Sequence, residues 1–198
     1  MAILSTSRRP APSAIAVIAA ASVALGGLLA SGFASAQATV PASASAPRAA
    51  HADSSFMKNA AESSFAEIDA GNLALQKGSG AEVKSFAQKM VDDHKKADAE
   101  LQALAASKGV KLPTEATMVA KGKTKLLEKR DGTGFDHAYA ENQVSAHKDA
   151  VKLFEKAAKD AKDADVKAWA AKTLPTLQHH LQEAQALEAG TKAADKKK

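Results

Sequence analysis

Four stretches of this chain, each roughly 25 residues long, place small or apolar side chains at intervals near three and four, the spacing of one face of an α-helix. The second is the most regular. Val83, Ala87, Met90, His94, Ala97, Leu101 and Leu104 alternate steps of four and three, the seam of a helix packed along its length against a partner. The third stretch gives Ala140, Val144, His147, Val151, Phe154 and Ala158, and the fourth Val166, Ala170, Thr173, Leu177, His180, Ala184 and Leu187. The first gives Met57, Ala61, Phe65, Ile68 and Leu75. Strands alternate with period two, so these runs leave only helices. Alanine, lysine, leucine, glutamate and glutamine fill the positions between, and these residues lose little freedom in a helix.

The connections set the order. Helix A covers residues 55–77 and ends at Gly78-Ser79-Gly80, where Ser79 and Glu82 have the spacing of a capping box for helix B. Helix B runs to Ser107 and closes at Lys108-Gly109-Val110. The segment up to Gly134 is too long for a hairpin and predicts a short extra helix over 115–129. Helix C covers 135–159 and helix D 163–189, with a tight turn between them; Pro175 inside helix D is expected to kink it. Two hairpins joined by one long crossover predict an all-α, ferritin-like antiparallel four-helix bundle. Both hairpin turns are expected at the same end.

The N-terminus reads as an export signal over residues 1–36. Arg8 and Arg9 precede an apolar run from Ala14 to Ala30, and Ala34-Ser35-Ala36 supplies the small-x-small cleavage pattern, with Ala38 as the second choice of cut. Residues 37–54 are Ala, Ser and Pro with few large apolar side chains, which predicts a disordered spacer ahead of a bundle at 55–190. Residues 191–198 form a basic tail. Removing Arg8 and Arg9 takes the 27 basic residues to 25 against 22 acidic ones, a net charge of +3. Lysine without interleaved aromatics, on an exported chain, argues against a nucleic-acid partner. No segment after the signal is apolar and long enough to span a membrane. The localisation expected is periplasmic or secreted. The absence of cysteine excludes disulfides, thiolate zinc sites and iron–sulfur clusters.

Three seams carry a histidine where the pattern calls for an apolar residue: His94, His147 and His180. Helix A offers Glu67 among the small residues Ala60, Ser64, Gly71 and Ala74. Counted from the hairpin turns, all four lie within about 5 residues of one level, roughly 7–8 Å at the helical rise. A carboxylate and three imidazoles so placed suit one divalent first-row transition metal, Zn, Cu, Fe or Mn. The other reading is a buried polar cluster satisfied by its own hydrogen bonds. Di-iron bundles pair Glu-x-x-His on their helices, but Val91, Val144 and Leu177 stand three residues before the seam histidines. His51, His137 and His179 fall in the spacer, at the start of helix C and off the seam. Met90, one turn before His94, offers a soft sulfur or ordinary packing. Helices B and C share x-His-Lys-x-Ala at His94 and His147, a sign of hairpin duplication.

Ala66-Glu67-Ile68-Asp69-Ala70-Gly71, Phe86 through His94, His147 through Phe154, and Thr173-Leu174-Pro175-Thr176-Leu177 with His180-Leu181 carry a resemblance. The chain from Phe56 to Leu187 resembles the exported bacterial helical domains termed domain of unknown function 4142, sometimes labelled predicted outer membrane proteins. The resemblance implies a ferritin-like fold and export, and it supplies no activity. The family commonly has Asp before the helix C histidine, where this chain has Ala146. With no nucleophile–base arrangement or phosphate loop in view, the sequence favours a non-enzymatic envelope or stress role through a protein partner or homo-oligomer. Metal binding by Glu67, His94, His147 and His180 is the alternative.

Overall fold

A computed structural model describes residues 50–195. They form five helices: α1 (His51–Lys77), α2 (Ala81–Ser107), α3 (Met118–Glu128), α4 (Gly132–Asp160) and α5 (Ala164–Asp195). The described residues contain no strand and no helix long and apolar enough to cross a membrane. The export signal and most of the spacer lie outside them. Residues 51–54, assigned to the spacer from composition, are the first turn of α1, where Asp53 is buried. The helix α5 runs through exposed Pro175 to Asp195, into what the sequence reads as a disordered tail. At the end of α2, Gly109 is left-handed (φ 64°), and Val110 and Gly109 donate to the Ala105 and Ala106 carbonyls, a Schellman closure.

The helices α1 and α2 pack as one hairpin and α4 and α5 as another; α1 also packs on α4, α2 on α5, and α3 lies against α1 and α4. The two turns lie at opposite ends, contrary to the sequence expectation. Asp136, near the start of α4, accepts from the Ser79 and Gly80 N–H groups at 2.9 Å and from the Ser79 hydroxyl, all in the α1–α2 turn. Asp53, at the start of α1, accepts from the Lys162 and Asp163 N–H groups in the α4–α5 turn at 3.1 and 2.8 Å. The crossover therefore runs the length of the helices, bringing the start of α4 to the α1–α2 turn. Lys108 at the far end of α2 pairs with Asp163 at 2.8 Å and Asp165 at 2.6 Å. The capping box is corrected as well: α2 has no side-chain cap bond, because Ser79 is turned toward Asp136.

The two hairpins repeat at a fixed interval. Asp53 and Asp136 are 83 residues apart (136 minus 53), and so are the turns they hold. The same interval relates buried Val83 to Val166, Phe86 to Trp169 and Ala87 to Ala170. It also relates two ion pairs across α2 and α5, Lys89–Glu183 at 2.7 Å and Glu100–Lys172 at 2.9 Å, with the partners exchanged. An approximate two-fold axis crosses the middle of the helices. The likeness between helices B and C is not this repeat. Under the interval, His94 matches Leu177, His147 matches Ser64 and His180 matches Ala97.

The core is divided. One apolar cluster, including Phe86, Met90, Phe135, Tyr139 and Leu187, fills the end near the α1–α2 turn. A second, including Phe56, Met57, Leu101, Phe154 and Trp169, fills the other. Between them lies a buried polar belt of Ser64, Glu67, His94, Gln143, His147 and His180. The seams of α4 and α5 fall on the buried side as their spacing predicts, and that of α2 does so through Leu101. That of α1 does so only at its start: Met57 and Ala61 are fully buried, but Phe65, Ile68 and Leu75 are half-buried, while Ala60, Ser64, Glu67, Gly71 and Ala74 are buried. Small residues win this face because α2 comes so close. A Cβ on Gly71 would sit 2.8 Å from Val91 Cγ2 and 3.2 Å from the Ala87 carbonyl oxygen.

Candidate metal centre

His94, His147 and His180 come from the middles of α2, α4 and α5, each on the seam that faces the interior. Their ring centroids are 5.7, 5.9 and 5.4 Å apart. One ligand nitrogen from each lies within 4.8 Å of the other two. Bonds of about 2.0–2.1 Å to one ion allow at most about 4.2 Å between nitrogens, so the trio needs only a small inward closure. His147 and His180 are 1% exposed and His94 7%.

Hydrogen bonds fix how two of the rings face. His147 Nδ1 lies 3.0 Å from the Gln143 carbonyl oxygen, one turn earlier, so that nitrogen donates. His180 Nε2 lies 2.9 Å from an Asp93 carboxylate oxygen and donates likewise. The nitrogens left over are His147 Nε2 and His180 Nδ1; each is buried and without a partner, as is His94 Nε2. A neutral imidazole that donates through one nitrogen presents a lone pair on the other, the form that binds a metal. Burial pushes the His94 pKa well below its ordinary value, and the neighbouring His147 and His180 push it the same way. Burial lowers that of His180 too, against the upward pull of Asp93.

Glu67, the fourth member of the sequence set, is not in that group. It is 6% exposed, and its Oε2 has no partner. Burial raises its pKa, opposed by the neighbouring His147. Glu67 lines a cavity of about 310 Å³ between α1, α3 and α4, into which His94 and His147 also face. The remaining histidines stay apart. His51 is exposed, His137 contacts Thr191 and Glu141, and exposed His179 contacts Lys89 and Glu183. Met90 is packed in an apolar cluster. Asp93 and Gln143, the hydrogen-bond partners of two of the three histidines, are the neighbours that sequence reasoning missed. Asp93 adjoins His94 in the chain yet serves His180 on another helix, which no local spacing signals.

No curated protein matches the sequence. Among solved structures the fold is similar to a DUF305 fragment from Deinococcus radiodurans, with a TM-score of 0.65 at 13% identity, covering 72% of this chain and 99% of that one. It is also similar to CopM in the Cu(I)-bound form, with a TM-score of 0.60 at 16% identity, covering 70% of this chain and 96% of that one. At such identities the likeness is one of fold. The family model for the domain of unknown function DUF4142 matches residues 38–187, and with most of its length matched the chain belongs to the DUF4142 family.

Proposed function

We propose that this chain is an exported, non-enzymatic metal-binding protein on a ferritin-like four-helix bundle, holding one first-row transition ion through His94, His147 and His180. The sequence alone favours an envelope role through protein contacts over metal binding; the convergence of the three imidazoles reverses that order. The carrying observation is three buried ring nitrogens, each without a partner, on rings whose ligand atoms approach within 4.8 Å of one another. A merely structural polar cluster would satisfy those nitrogens with each other or with neighbouring donors. The all-imidazole set suits copper and zinc better than the hard, oxygen-seeking ions. The likeness to the Cu(I)-bound CopM structure supports the same reading. Export rests on the Arg8–Arg9 start, the apolar run and Ala34-Ser35-Ala36.

The test is the metal content of untagged protein purified from the periplasm, measured by elemental mass spectrometry beside His94→Ala/His147→Ala. Near-stoichiometric copper or zinc that disappears in the double variant is expected. Wild-type protein that arrives empty and takes up neither ion on titration refutes the reading. Recovery of the chain from the cytoplasm alone, with residues 1–36 intact, refutes export.

A further inference from the structure

Glu67 lies outside the group of converging nitrogens but lines the same cavity as two of the histidines. It is buried, and its Oε2 has no partner. It shares the 310 Å³ cavity with His94 and His147. That space is roughly ten times the share of liquid volume taken by one water molecule. The outer wall is α3, through Ala120 and the exposed Lys123. Three imidazoles leave a transition ion short of the four ligands usual for a closed site. No fourth protein group converges with them among the described residues.

We propose that the ion held by the three histidines keeps one coordination position facing this cavity, and that Glu67 accepts a hydrogen bond from the water that occupies it, which a small anion such as azide can displace. The inference rests on the metal-binding reading, and it makes Glu67 a positioning residue. It also gives the crossover helix a purpose: α3 walls the approach, with Lys123 supplying positive charge where an anion would arrive.

The experiment uses the protein loaded with Co(II), whose visible spectrum reports the ligand set, titrated with azide. Wild type should show a saturable spectral change. Glu67→Gln should bind Co(II) with unchanged stoichiometry and azide with an affinity altered by about three- to tenfold, the worth of one hydrogen bond. Ala120→Trp, which fills the cavity from the short helix, should load Co(II) and lose the azide response. Three results overturn the proposal while leaving metal binding in place: no azide response in loaded wild type, an undiminished response in Ala120→Trp, or loss of Co(II) from Glu67→Gln as complete as from His147→Ala. The last would make the carboxylate a direct ligand. Failure of wild type to take up Co(II), zinc or copper overturns both readings together.

Discussion

Replacing Asp93 with alanine tests the proposed metal centre without touching one of its three histidines. The carboxylate holds His180 Nε2 at 2.9 Å and leaves Nδ1 to the interior. Without it, a buried N–H loses its acceptor, and the ring is free to take the other tautomer or turn. Loss of such an orienting partner lowers metal affinity by about 10- to 100-fold. Asp93 keeps 40% of its side chain exposed, so solvent partly screens the pair and water can replace part of the bond. The expected loss therefore lies near the lower bound, about tenfold. Asp93→Asn retains an acceptor oxygen and should lose only a few-fold. The assay is competition for zinc with a chromophoric chelator at fixed pH and salt. His180→Ala serves as the reference for complete loss of one ligand. If Asp93→Ala binds zinc within a factor of two of wild type while His180→Ala is strongly impaired, the carboxylate does not orient the ring. If Asp93→Asn loses as much as Asp93→Ala, accepting the hydrogen bond is not what matters.

Three further outcomes follow from the packing and the turns. Gly71→Val should destabilise the protein by about 1–3 kcal/mol in urea unfolding, because even a Cβ meets Val91 and the Ala87 carbonyl; a change under about 0.5 kcal/mol would mean the helices part freely. Asp53→Ala and Asp136→Ala should each cost roughly 2–4 kcal/mol, since each strands backbone donors in a turn. The two aspartates cap turns at opposite ends, so their effects should add to within about 0.5 kcal/mol; strong coupling would contradict that placement. The hydrogen bond from Lys108 holds the Asp163 pKa below its ordinary 3.8. A carboxylate with a depressed folded pKa stabilises the fold above its unfolded value and loses that contribution as pH falls through the folded one. Thermal melts between about pH 5 and 2 should therefore show a shallower acid decline in Lys108→Ala than in wild type.

What the sequence made legible depended on side-chain size. The seams of α2, α4 and α5 carry Val, Leu and Phe, and periodicity alone placed most of them. The α1 seam was misjudged past Ala61, because its buried line there is small residues and Glu67, chosen by how near α2 approaches rather than by hydrophobicity. The histidines stood out as polar breaks in apolar seams. Their common level was right although the turns were put at one end, because residues in the middle of a helix are level whichever way it runs. The separation of Glu67 from the trio and the Asp93–His180 bond were out of reach. Both depend on side-chain direction across helices, and spacing along one helix says nothing about it. Asp136 likewise serves a turn 57 residues away in sequence.

The fixed interval between the hairpins bears on ancestry. Two separate copies of one hairpin, pairing about an axis, would present every ligand twice, so a site on that axis would hold an even set. The trio here is odd, and the counterparts of its members are Leu177, Ser64 and Ala97, none of which is an imidazole. Two identical hairpins cannot build such a set; it needs halves free to diverge, as they are when carried on one chain. A relative consisting of one hairpin that dimerises should therefore show paired histidines on its axis or none.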